Sequence, residues 1–300
     1  MSVFSGCKKI FYLFVIVSTF SISEAAQTAR EKDQTMYKMY EPENLNTYGF
    51  VLPIGSKVPE VHQLANDLQY SFFNYQDKSK YEEIAAKITE LDPSYPSAYL
   101  MQSFYVPDDT PKYKELVTKA FELSKIHPLD SERSMVQADY HLLITEDYDQ
   151  ALSLFQHVAD LYPESSVAIW CVGMVYYYSR QNEKALAAFK KSVELNPNLA
   201  KGYESISWVY STKSDKEFFD EKKALEYLNI AIEKGASAAN DQYYADYEPY
   251  VYYLNGMYKK AISNINHYYT FGDKYKESET LKNVLQWSKE KLADTAIENK

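Results

Sequence analysis

A metal site or a proton-transfer centre in this chain would have to draw on its five histidines, His62, His127, His141, His157 and His267. None stands in an H-E-x-x-H or related ligand spacing, so they read as solvated or interhelical side chains. Glu146, Asp147 and Asp149 concentrate carboxylates where a calcium ion could bind. The alternating ligand order and central glycine of a calcium loop are missing, and the cluster reads as a solvated turn. Gly55-Ser56-Lys57 has the residue types of a phosphate loop without their order or a preceding strand, and no G-x-S-x-G elbow occurs. Two carboxylates distant in the chain could still converge, but nothing in the pattern points to such a pair. The sequence is therefore read as that of a non-enzyme with no metal and no cofactor.

Aromatic rings are the other chemical resource. The 30 tyrosines offer large apolar faces with one hydrogen-bonding tip, which suits half-wet contact surfaces and also helix packing. Trp170, Met174 and Tyr177 are spaced four and three apart, which sets them on one stripe of a helix. A formal net charge of -10 repels phosphate backbones, so nucleic acid is excluded as a partner.

The elements that must position these side chains are helices. Hydrophobic residues make up 46% of the 300, enough for a buried core, while 8 Gly and 11 Pro are too few for the many tight turns of a sandwich or barrel. The start of the chain differs. Lys8 and Lys9 precede a mostly apolar run, 10 to 23, followed by small residues at Ala25 and Ala26. The run is too short to span a bilayer, so residues 1–25 read as a signal peptide cleaved after Ala25 or Ala26. The mature protein is then secreted or periplasmic with no stable membrane insertion; an uncleaved anchor is the alternative. Ser5-Gly6-Cys7 precedes the apolar run, so no lipid anchor is read there. Cys7 leaves with the signal and Cys171 remains without a disulfide partner. Residues 26–60, with Pro53, Gly55 and Pro59 and no helical period, read as an extended lead-in segment, in which 48 to 52 could lie as a strap on the first helices.

From about residue 61 paired apolar-periodic segments alternate with short polar links. Prolines supply the ruler, because each follows a long periodic segment where a helix must stop. Pro93, Pro128, Pro163 and Pro197 are 35, 35 and 34 apart. Residues 166 to 199 hold Gly173, Tyr176, Ala185, Phe189 and Pro197, all in the register of the tetratricopeptide repeat, which this stretch resembles. The preceding unit supplies Ala151, Phe155 and Pro163 but has Asp139 where the small glycine would sit. A long polar loop is expected at 213 to 220. The resemblance covers roughly 60 to 295 and implies an all-α, right-handed superhelical solenoid of antiparallel helix pairs. About five to six repeats occupy 61–273, with a capping helix and tail over 274–300. Small residues at the helix crossings (Gly173, Ala185) let axes approach, and Tyr176 and Phe189 fill the space between pairs.

In this family the first helices of successive repeats line the concave face. Counting positions 2, 5, 9 and 12 gives an implied lining that includes Met101, Tyr105, Val136, Tyr140, Trp170, Met174, Tyr177, Glu204, Trp208, Asp246, Tyr250 and Tyr253. The subclass that clamps a terminal carboxylate uses Lys and Asn at two of these positions, which here hold Val136, Tyr140, Trp170, Met174, Glu204 and Trp208. Such a clamp is therefore not implied. An aromatic groove fits a protein or peptide segment as partner. Alternatively the rings pack against the lead-in segment or one another. The leading expectation is an exported interaction scaffold. A structural subunit of an envelope assembly is second, and a glycan or small-molecule binder or a motif-free enzyme third. The sequence leaves oligomeric state open.

Overall fold

A computed structural model describes residues 24–37, 52–74, 78–104, 106, 110–236 and 242–298. Among the described residues all regular structure is helical. A leading helix, α1 (Glu24–Tyr37), is followed by α2 (Pro59–Phe73), α3 (Lys78–Leu91), α4 (Pro96–Ser103), α5 (Pro111–Ser124), α6 (Asp130–Tyr140) and α7 (Tyr148–Leu161). Then come α8 (Ser166–Tyr178), α9 (Asn182–Leu195), α10 (Ala200–Ser211), α11 (Glu221–Glu233), α12 (Gln242–Leu254) and α13 (Tyr258–Tyr268). The short α14 (Asp273–Glu277) and the long α15 (Glu279–Glu298) close the described chain, α15 packing on α12 and α13. From α2 to α13 the helices form consecutive pairs, each packed on the next. The fold is an all-α solenoid of helix hairpins.

Local chemistry sets the helix ends. Pro59, Pro96 and Pro111 open α2, α4 and α5, where the missing N–H costs nothing and the fixed φ is already helical. Asp147 and Ser165 accept the N–H groups of Gln150 and Ala168 at 3.0 and 3.2 Å, capping α7 and α8. The acidic turn at 146–149 therefore serves as a cap, reached through Glu146 in a left-handed conformation (φ 52°) after a π turn at 141–145. Pro93, Pro163 and Pro197 follow the last residues of α3, α7 and α9 by two positions.

At the crossing of α8 and α9 a Cβ on Gly173 would come within 2.6 Å of two Phe189 ring atoms. Ala151, Phe155, Ala185 and Phe189 are wholly buried, whereas Tyr176 is half-buried beneath the Lys184 ammonium, 5.3 Å from its ring centre. A second close crossing involves Gly202, where a Cβ would meet Val193 Cγ1 at 2.6 Å.

The lead-in segment differs from its sequence reading. Residues 24–37 are helical, because Ala, Glu, Gln and Lys are good helix formers even without an apolar stripe. This helix is held mainly by polar contacts. Asp33 accepts the N–H groups of Asp130 and Ser131 at 2.9 and 3.0 Å, capping α6, whose own N-cap residue is Leu129 and cannot do so. Arg30 pairs with Glu164 and lies 5.0 Å over the Tyr162 ring. The expected signal run lies outside the described residues, as do 48 to 51 of the expected strap. Its continuation is tied down. His62 Nε2 and His127 Nε2 donate to the carbonyls of Ser56 and Gly55 at 2.7 and 2.6 Å, and Ser56 Oγ donates to Asp92 at 2.6 Å. Ser, His and Asp thus meet here in a structural clamp, since the imidazole holds a carbonyl and not the hydroxyl.

Candidate binding cavity

The first helices of successive pairs present their inner stripes to a common space of about 650 Å³. From α8 come Trp170, Cys171, Met174 and Tyr177, at the three-and-four spacing that keeps them on one face. Helix α4 adds Leu100 and Met101, α10 adds Lys201 and Trp208, and α12 adds Tyr247. Helix α6 contributes Glu132, Met135 and Asp139, and the π turn after it Leu142. Tyr178, 48% exposed, also lines the space, so the cavity reaches the surface.

Of the side chains placed in the groove by sequence, Met101, Trp170, Met174, Tyr177 and Trp208 line this cavity together. Tyr105 lies outside the described residues. Six others sit elsewhere. Tyr140 stacks on Phe121 of α5, ring centres 4.0 Å apart, and Val136 is buried in the core between α4, α5 and α6. The reason is register: the cavity stripe of α6 runs through 132, 135 and 139, and one residue further on is a rotation of about 100° toward α5. Tyr250 and Tyr253 lie on the far part of α12 beneath Lys213, 6.0 and 5.7 Å from its ammonium, and Tyr253 also meets Trp287 of α15 at 5.6 Å. Asp246 is taken by Ser278 Oγ at 2.5 Å, and Glu204 is fully buried.

The cavity is also narrower than an open groove, because the first helix pair folds across it. Phe73 at the end of α2 meets Trp170 edge-on at 5.3 Å, and Phe72 stacks on Phe104 at 4.9 Å beneath the Lys201 ammonium. Asn74 reaches the start of α10, its Oδ1 accepting the Ala200 N–H at 3.4 Å. Part of the aromatic lining is thus spent on packing: Trp170 is 9% exposed and donates its Nε1–H to Ser205 Oγ at 2.9 Å. Trp208 stays between Tyr177 and Tyr247, with ring centres 6.1 and 6.2 Å away.

Two acids give this apolar wall its electrostatics. Glu132 is buried and accepts the Ser97 N–H at 3.0 Å; burial outweighs that bond and raises its pKa. Asp139 makes no hydrogen bond or ion pair with the described residues, and desolvation pushes its pKa up to about 8. Burial, and then the nearby Asp139, raise the pKa of the free Cys171 thiol, which leaves it a poor nucleophile. Asp139 was missed as a site residue although its signal was visible: it replaces the small residue that the repeat pattern expects. Phe72 and Phe73 carried no such signal, since their partners are far off in sequence.

No family model and no curated protein matches the sequence. Solved structures do resemble it. They include Cut9 in the Cut9–Hcn1 hetero-tetramer of the APC/C (14% identity, 91% of this chain, 57% of that one, TM-score 0.48). PilF of Pseudomonas aeruginosa (15%, 87% and 98%, TM-score 0.42) and MamA (18%, 61% and 95%, TM-score 0.34) are others. At such scores the likenesses add little to the chain's own geometry. Paired helices, small residues at their crossings and prolines 34 to 35 residues apart make this a tetratricopeptide-like solenoid.

Proposed function

We propose that this protein is an exported, non-catalytic interaction module that holds a peptide segment of a partner protein in the cavity on its concave side. The observation that carries the reading is the convergence of Met101, Met174, Tyr177 and Trp208, with the edge of Trp170, around one surface-connected space. Rings and thioethers of this kind bury apolar side chains of many shapes. A cavity in the range of about 300–1,000 Å³ accommodates a few of them. An anchor at the centre of such a site contributes about 2 kcal/mol or more, a factor of about 30 in affinity.

The full chain would be screened against an immobilised peptide array, and the strongest segment measured in solution with Trp208→Ala and Tyr177→Ala. Trp208 and Tyr177 are chosen because Trp170 also holds Ser205 and Phe73. The proposal expects each variant, with its helical circular dichroism intact, to bind about 30-fold more weakly. Affinity equal to wild type in both variants overturns it. Export rests on residues 8 to 26 and predicts that N-terminal sequencing of exported protein begins at Ala26 or Gln27; an intact Met1 contradicts it.

A further inference from the structure

We infer that the cavity selects a segment carrying a lysine, whose ammonium is received by Asp139 of α6 while its stem lies among the surrounding rings. The inference rests on the peptide-binding reading above and adds to it the chemistry of the bound group. Asp139 is a carboxyl set in an apolar wall, without a partner among the described residues, on the stripe that faces the cavity. Such a group is costly unless something completes it. Nothing in its own packing explains its presence at a helix position where the repeat pattern calls for a small residue.

Other titratable groups share the cavity lining with Asp139, the phenols of Tyr177 and Tyr178 among them. Glu132 on its own helix has the same sign and is engaged by Ser97. Cys171 on α8 is a neutral thiol whose pKa is raised. From α10, Lys201 lines the cavity with its ammonium over the Phe72 ring, 4.7 Å from its centre. The α7 residue on this wall is Phe155, and α5 and α12 bring the phenols Tyr113 and Tyr247. An ammonium received by Asp139 would meet a carboxylate, and its stem would lie in the same cavity that Tyr177 and Trp208 line. A lysine stem matches this site better than an arginine fork, because one acceptor serves a point charge and bidentate recognition has nothing further to engage.

Proton linkage follows. The empty pocket holds Asp139 protonated below about pH 8, so a cation arriving at lower pH must displace that proton. Lysine itself stays charged to about pH 10. Affinity should therefore rise with pH by up to about tenfold per unit until it levels off above about 8.

The test is calorimetric titration of the full chain with a blocked Leu-Lys-Leu peptide, its norleucine counterpart and n-hexylamine, at pH 6.5, 7.5 and 8.5, repeated with Asp139→Asn. The proposal expects the lysine peptide to bind at least about tenfold tighter than the norleucine peptide at pH 8.5. In Asp139→Asn that advantage and the pH slope should both vanish while norleucine binding persists. Equal affinity for the two peptides in wild type overturns the lysine inference and leaves the peptide reading standing. Binding of n-hexylamine with no binding of either peptide overturns the peptide reading itself. A lysine preference that survives in Asp139→Asn overturns the assignment of Asp139.

Discussion

Replacing Asp139 with asparagine should stabilise the fold at neutral pH, and the amount can be worked from the structure. In the unfolded chain the carboxyl loses its proton near 3.8, whereas in the folded protein it keeps it to about 8. Between those values the unfolded state binds fewer protons, so stability falls as pH rises, and the loss is complete above about 8. At pH 7 roughly three units of that interval have been crossed, which at about 1.4 kcal/mol each gives on the order of 4 kcal/mol. Asparagine has the same shape and does not titrate, so it escapes this term while keeping the same desolvated polar head. Urea unfolding followed by circular dichroism, on both proteins at pH 4 and pH 7, reads the effect directly. The two should differ little at pH 4, and the variant should be the more stable by about 3–4 kcal/mol at pH 7. A gain that changes by less than about 1 kcal/mol between the two pH values would show that Asp139 is hydrated or paired, and would refute the reasoning.

Gly173→Ala should destabilise by about 1–3 kcal/mol through overpacking against Phe189. Because the clash is with that ring, Phe189→Leu should make the same change cheaper, and additive thermal melts would contradict the pairing. Asp33→Ala should cost about 1 kcal/mol by uncapping α6, with faster amide exchange at Asp130 and Ser131 as the local readout; unchanged exchange there would mean α1 does not cap it. His157, 2.6 Å from Asp130, has a raised pKa from that bond and charge, while Asp130 is lowered by His157 first and Arg133 next. The histidine's contribution is full below 6.5 and lost as pH rises through its folded value; that of Asp130 is present above 3.8 and lost as pH falls. Stability of wild type relative to His157→Gln should therefore peak between these limits, and a flat difference from pH 4 to 8 would count against the pair.

Much of this was legible because it is local. Proline after α3, α5, α7 and α9, Gly173 and Ala185 at a crossing, and the polar run 213 to 220 between α10 and α11 are signals within one repeat. The shared face of Trp170, Met174 and Tyr177 on α8 is legible too, since they follow the helical period without interruption. Failures came where distance or rotation decides. Helix α1 has no apolar stripe and is fastened by Asp33 and Arg30 to residues about 100 or more positions away. Tyr140 was placed one residue off the inner stripe of α6. Tyr250 and Tyr253 were assigned to the groove, but α12 turns its outer part to Lys213 and the capping helix. Closure of the cavity by Phe72 and Phe73 depends on the curvature accumulated over four helix pairs, and no local periodicity encodes it.

The central claim, that partners enter the cavity on the concave side, is tested most directly by methyl NMR of the full chain labelled at methionine, titrated with the array-selected peptide. Met101, Met135 and Met174 line the cavity, whereas Met257 is 36% exposed at the turn before α13. The account predicts shifts at the first three and none at Met257. Shifts confined to Met257, with the three cavity methyls unmoved at saturating peptide, would contradict it.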